Sequence, residues 1–281
     1  MKFAIIDNFL TEDFCKNLVS DAEKFIENDD YTKIHGNRKS LENSNLNFSK
    51  LTKNSQSWKE LESKINDQAF LDLCCEKLSI NNKLVLKQFF KANDHSKLFR
   101  KYKVISGSKV NKISTLSLFK YFIIRLFRDL LRNLKFSKIF YPSKIPIELL
   151  FDYSKAGNGY GREVHRDSDS RIIVFLIYLN SFPKNNNEQT GGTLDLYKLN
   201  KETENLAQPD ENSCELIKSI KPELGKMFIF SNENDSYHAV SKIKNLDGFR
   251  HFIYGGYTIL SQKNPFITNN SKLKTEFYFY D

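Results

Sequence analysis

A chain of 281 residues with 40% hydrophobic and 14% aromatic residues has the material for one large domain with a buried core, which excludes wholesale disorder. Its four cysteines, Cys15, Cys74, Cys75 and Cys214, show no paired-ligand spacing and read as reduced thiols, which excludes a disulfide scaffold. The net charge of +9 is uneven: between Lys97 and Lys144 thirteen Lys or Arg stand against one acid, Asp129, so the remainder of the chain is slightly acidic.

In chain order, Phe3-Ala4-Ile5-Ile6 predicts a short strand, and Asp7 interrupts the start before any signal-peptide apolar stretch could form. Thr11 followed by Glu12 and Asp13 is a good helix start, because a hydroxyl caps the first turn and acids suit its positive end. Leu18, Ala22, Phe25 and Ile26 recur at helical spacing, which carries that helix to about Glu27. Residues 28 to 56 are polar and turn-rich, and a second helical region is expected from Trp58 to Leu78.

The basic segment comes next. Phe119, Phe122, Ile123, Leu126, Leu130 and Leu134 fall on one helical face, with Arg125, Arg128, Arg132 and Lys135 on the other, so the spacing predicts a basic amphipathic helix. No apolar run approaches the ~20 residues of a membrane span, and the chain reads as cytoplasmic. After Pro146 the texture changes to strands: Ile147–Tyr153, Arg171–Leu179, Thr193–Tyr197, Lys226–Phe230, Tyr237–Ile243 and Phe249–Leu260, separated by turn clusters. Short strands at such spacing predict a sandwich or barrel rather than a parallel α/β sheet.

Only five histidines are present. His165-Arg166-Asp167 forms an H-x-D pair just ahead of the apolar strand from Arg171, and alone it is a weak signal. Its position strengthens it, since alternate side chains at a strand mouth can point to one centre. His238 follows in a later strand, and Arg250 twelve residues on. Two imidazoles and one carboxylate on one face of an octahedral Fe(II) leave open positions for a chelating 2-oxo acid and dioxygen. The far carboxylate of that acid then needs a buried cation, and a guanidinium answers with two parallel hydrogen bonds. Arg250 on a neighbouring strand is the candidate, with Lys242 and Lys244 as substitutes; Asp169 is the alternative carboxylate, and His251, facing away from Arg250, reads as structural.

Taken in order, four stretches resemble the prolyl-4-hydroxylase-like branch of the Fe(II)/2-oxoglutarate oxygenases: Tyr153 ahead of His165-x-Asp167; Tyr178-Leu179-Asn180 followed by Gly191-Gly192-Thr193-Leu194; Pro222-Glu223-Leu224-Gly225-Lys226 before Phe228-Ile229-Phe230; and His238-Ala239-Val240 ahead of Gly248-x-Arg250. The resemblance implies an α+β fold: a double-stranded β-helix, or jelly-roll, core with N-terminal helices packed on the major sheet and a basic helical insertion. It makes residues 1–281 one oxygenase domain, in which residues 1–95 are helical, 96–146 form the basic segment, 147–262 the catalytic core and 263–281 a tail. It implies Fe(II) held by His165, Asp167 and His238, 2-oxoglutarate held by Arg250 and Tyr153, O2 as oxidant and ascorbate as reductant. The gap from His238 to Arg250 is slightly long for the family, which suggests a bulge in the turn.

By the same resemblance the substrate is a peptidyl residue or a small metabolite. An Asp at 167, where halogenating relatives carry Gly or Ala, favours hydroxylation. The competing reading makes 97–144 the main business, as a module for a polyanionic partner such as nucleic acid, anionic lipid or a phosphorylated molecule. The nucleic-acid demethylase branch carries a second arginine soon after the first. Here Arg250 is followed by His251-Phe252-Ile253-Tyr254-Gly255-Gly256, which disfavours that branch.

Overall fold

The computed structural model describes residues 1–34, 36–43, 45–80, 85–90, 144–181, 191–201, 206–259, 264 and 267. The expected basic amphipathic helix and the C-terminal tail from 268 lie outside the described residues.

Residues Phe3–Ile6 form β1, and Glu12–Phe25 form α1, capped by the Thr11 hydroxyl accepting from the Phe14 amide. The polar stretch 28–56, expected to be turns, instead contains β2 (Thr32–Ile34), β3 (Arg38–Glu42) and α2 (Leu46–Asn54). The sequence hides α2 because its apolar face is narrow, with Phe48 and Leu51 fully buried among polar neighbours. The region from Trp58 to Leu78 is two helices, α3 (Gln56–Asn66) and α4 (Gln68–Lys77), because Asp67 leaves the helical conformation and its side chain caps the Ala69 amide. No helix of the described residues is long and apolar enough to cross a membrane.

The strands follow as β4 (Val85–Phe90), β5 (Lys144–Ala156), β6 (Arg162–His165), β7 (Arg171–Tyr178), β8 (Leu194–Leu199), β9 (Cys214–Ile220), β10 (Met227–Ser231), β11 (Tyr237–Val240) and β12 (Arg250–Ile259). They form two sheets. The major sheet has the order β1-β10-β7-β12-β5-β3-β2, with β4 also paired to β5, and the minor sheet has the order β6-β11-β8-β9. Strands β6 and β9 leave little trace in the sequence: β6 is only four residues long, and β9 exposes most of its length, so neither shows a buried period.

Alternation along β7 shows how the layers are built. Phe175 and Ile177 face the helices, in a cluster with Leu18, Trp58, Leu61 and Phe70, whereas Val174, Leu176 and Tyr178 face the minor sheet, in a cluster with Leu194, Leu196 and Phe230. Both faces of the strand are covered, which explains its unbroken apolar sequence. The architecture is α+β, a jelly roll with helices on the outer face of its major sheet.

Gly255 sits where β12 crosses between β5 and β7. A Cβ there would lie 2.4 Å from Phe175 Cζ and 2.7 Å from Phe151 Cβ. Gly255→Ala should therefore overpack the helix-facing core and destabilise the protein by about 1–3 kcal/mol. A thermal melt checks this, and an unchanged midpoint would show that the two rings can yield.

Candidate functional site

His165 ends β6 and His238 lies directly opposite it in the register of β11. Their rings stand 4.3 Å apart centroid to centroid. Asp167, two residues beyond β6, turns its carboxylate to the same point, and the ligand atoms of all three side chains lie within 4.8 Å of one another.

Each imidazole is oriented through its Nδ1, which contacts a backbone carbonyl two residues upstream: Glu163 O at 2.8 Å for His165, and Ser236 O at 3.1 Å for His238. A carbonyl only accepts, so Nδ1 carries the proton in both rings and each Nε2 lone pair is left for the shared centre. Burial, and the adjacent His238, push the His165 pKa down to about 3, so this ring is neutral at physiological pH. Burial opposes ionisation of Asp167, but Arg171, the two histidines and a hydrogen bond from Tyr254 outweigh it and lower its pKa. Two imidazoles beside a carboxylate are a donor set for a divalent cation. Asp169 takes no part in it, being paired with Arg166 at 2.9 Å.

Arg250 begins β12 in the major sheet, whereas His238 lies in the minor sheet. The two face each other across the interior rather than lying on adjacent strands, as the sequence suggested. Residues 241–249 make an irregular crossing between the sheets, with Asn245 and Gly248 at positive φ, instead of a bulged hairpin turn. The Arg250 side chain is 1% exposed and donates from Nη1 to the Gly192 carbonyl, while its Nε has no partner among the described residues. It lies between the rings of Tyr160 and Phe252 and, among the described residues, forms no ion pair. Burial depresses its pKa, opposed by the phenols of Tyr178 and Tyr160. A buried guanidinium without a carboxylate is a costly arrangement unless an anion completes it. Lys242 and Lys244, the other candidates for this role, are exposed.

Tyr178, which opens one of the family-like stretches but was given no role from the sequence, belongs to this pocket. It pairs in register with Phe252, faces the interior with Arg250, and has a buried hydroxyl without a partner among the described residues. Burial raises its pKa to about 12, so the phenol keeps its proton and can donate. The signal was available in the alternation of β7: a lone phenol on the inner face of an otherwise apolar strand needs a partner.

Tyr153, assigned to the co-substrate by resemblance, is a correction. Along β5 the residues Leu149, Phe151 and Tyr153 share the helix-facing side. Tyr153 packs edge-on against Trp58 and its hydroxyl is bonded to His251 Nδ1 at 2.7 Å, on the far side of the sheet from Arg250. The pairing also accounts for His251 as a structural residue. Tyr153→Phe should leave 2-oxoglutarate affinity unchanged and cost about 1–3 kcal/mol of stability, through the unsatisfied imidazole. Isothermal titration and a denaturant melt separate the two effects; weakened co-substrate binding at full stability would reverse the correction.

Residues 151–255 match the sequence model described as the 2OG-Fe(II) oxygenase superfamily. The matched segment carries the triad, Tyr178 and Arg250. Among solved structures the chain is similar to a prolyl 4-hydroxylase from Phytophthora capsici, with 11% identity and a TM-score of 0.50, covering 92% of this chain and 59% of that one. The chain thus spans less than two thirds of that protein. It is also similar to HygX from Streptomyces hygroscopicus with nickel and 2-oxoglutarate bound (9% identity, TM-score 0.45, covering 92% of this chain and 82% of that one). A third similar structure is a prolyl hydroxylase from Trichoplax adhaerens in complex with a hypoxia inducible factor peptide fragment (14% identity, TM-score 0.44, covering 92% and 83%). No curated protein matches the chain.

Proposed function

We propose that the protein is an Fe(II)- and 2-oxoglutarate-dependent dioxygenase that hydroxylates a C–H bond of a peptidyl residue or small metabolite. His165, Asp167 and His238 hold the metal, and Arg250 with Tyr178 holds the far carboxylate of 2-oxoglutarate. One observation carries the reading: a metal-type donor set and a buried guanidinium with no ion pair among the described residues face each other in one interior.

The residues present fit both groups. Three donors gathered on one side of a centre leave the other side open, which suits Fe(II) with a chelating co-substrate. Zinc could occupy the same three donors, but it would give Arg250 no anion. The orphaned Arg250 Nε and Tyr178 hydroxyl are the hydrogen-bond donors that a carboxylate would satisfy. When bound, Fe(II) supplies the redox chemistry that couples O2 and the decarboxylation of 2-oxoglutarate, giving succinate and CO2, to insertion of one oxygen into the substrate C–H bond. The protein's own role is to keep His165 neutral and Asp167 ionised, and Arg250 with Tyr178 would hold the co-substrate at its far carboxylate. Ascorbate enters this reading as the reductant that restores Fe(II). The four unpaired cysteines support a reducing, cytoplasmic setting.

The test is turnover of 2-oxoglutarate to succinate in the presence of Fe(II), screened against pooled peptides and cell metabolites. Succinate formation that depends on Fe(II) and is stimulated by one pool supports the reading. A protein that binds neither Fe(II) nor 2-oxoglutarate would refute it.

A further inference from the structure

The two histidines of the triad are each fixed by a backbone carbonyl, but Asp167 stands in coil beyond the end of β6, where no sheet pairing holds it. Its carboxylate is instead gripped by one side chain. The Tyr254 hydroxyl reaches Oδ1 and Oδ2 at 3.1 Å each. The same hydroxyl accepts a hydrogen bond from Arg171 Nη1, so its donor and its acceptor roles are both used. The polarity of the relay is fixed: guanidinium to phenol, phenol to carboxylate.

The backbone has been altered to make this contact. β12 and β7 pair regularly at Gly256↔Val174 and Tyr257↔Ile173, and then slip, so that Thr258 stands opposite Arg171. Ile172 is the extra residue, and both Ile172 and Ile173 are buried in the helix-facing cluster. A bulge of this kind re-aims the side chains beyond it. Without it Arg171 would point to the helices; with it, the guanidinium lies over the Tyr254 ring, 4.8 Å from its centroid. Arg38 packs on the same ring at 5.3 Å, and is itself held by Asp152 at 3.0 and 3.2 Å and by Ser154 at 3.0 Å. Strands β3, β5, β7 and β12 thus converge on one phenol.

We infer that Tyr254 is the positioning residue of the metal-binding carboxylate: held by Arg171 and Arg38, it sets the direction in which Asp167 offers its oxygen to the metal. This rests on the function proposed above. Partners of this kind orient a ligand without touching the metal, and their loss typically weakens metal binding about 10- to 100-fold.

The test uses the full chain as Tyr254→Phe, which keeps the ring between the two guanidinium groups and removes only the hydroxyl. Fe(II) affinity and the visible charge-transfer absorption of the iron(II)–2-oxoglutarate chelate are measured without oxygen, and the thermal midpoint is measured on metal-free protein. A ten-fold or greater loss of Fe(II) affinity with a displaced absorption band, in a protein whose metal-free melt is close to wild type, is the expected result. A purely structural phenol would move the melt and leave the band in place. Arg171→Met and Arg171→Lys give a second route should the first variant fold poorly. The former leaves the phenol unanchored and should displace the band, and the latter, which keeps a donor, should restore it in part. Fe(II) affinity within twofold of wild type and an unchanged band in Tyr254→Phe, or in Arg171→Met, would overturn the inference while leaving the oxygenase reading intact. Absence of Fe(II) binding by the wild-type protein would remove both.

Discussion

Replacing either His165 or Asp167 by Ala should abolish stoichiometric Fe(II) binding while leaving the protein folded. The two side chains contribute different things. His165 offers a neutral Nε2 because burial and the adjacent His238 keep the ring unprotonated well below its ordinary pKa. Asp167 supplies the negative charge that favours Fe(II) over a neutral ligand set. Removing either leaves two donors, and the loss should exceed the roughly 10- to 100-fold effect of an outer partner. His238→Ala belongs to the same series, since its Nδ1 bond to Ser236 aims the remaining nitrogen at the same centre. Metal analysis after gel filtration, with a melting curve for each variant, checks the expectation. Full iron content in both His165→Ala and His238→Ala would show that the cluster is a hydrogen-bonded polar group of the interior and nothing more.

Proton competition should follow the same chemistry. A ring with its pKa pushed down to about 3 competes little for protons in the mildly acidic range. His165 should therefore not weaken metal binding as the pH falls from 7 to 5.

What could be read in the sequence divides along the periodicities of its elements. β7 and β10 are apolar on both faces, and α1 has a capped start with a regular apolar stripe, so each stands out from its neighbours. The metal donors were legible because H-x-D at the mouth of a strand with a later His is a pattern of residue types as well as positions. β3 was not, because its residues Arg38, Lys39 and Glu42 resemble a loop; only the structure shows Arg38 lying inward against Asp152. Tyr153 illustrates a different failure. The phenol expected near the co-substrate was chosen by resemblance, whereas the alternation of β5 sends that position to the helices, and a phenol of β7, Tyr178, faces the interior instead. Arg171 could not have been placed by alternation at all, since a bulge at Ile172, the next residue, breaks the period between it and the rest of β7.

Arg250→Ala should weaken 2-oxoglutarate binding by at least a hundredfold and leave the iron in place. The guanidinium is nearly inaccessible, has an Nε without a partner, and forms no ion pair among the described residues, so the carboxylate of a bound co-substrate would be its counter-ion. Breaking a buried charge pair from one side typically costs ~3–5 kcal/mol, and each ~1.4 kcal/mol is tenfold in affinity. His165 and His238 lie in the other sheet, Asp167 just beyond it, and the contacts that orient the three do not run through Arg250, so metal content should hold. Arg250→Lys separates charge from geometry, because an ammonium keeps the charge but cannot offer two parallel donors; an intermediate loss is expected. Tyr178→Phe removes one neutral donor to the same carboxylate. Hydrogen bonds to charged groups contribute about 1.5–3 kcal/mol, which gives roughly a 10- to 100-fold weakening, smaller than for Arg250→Ala. Titration of 2-oxoglutarate into the Fe(II)-loaded protein under anaerobic conditions measures all three. Unchanged affinity in both Arg250→Ala and Tyr178→Phe would place the co-substrate carboxylate elsewhere. An effect confined to Arg250 would mean that the Tyr178 hydroxyl serves the substrate side of the pocket.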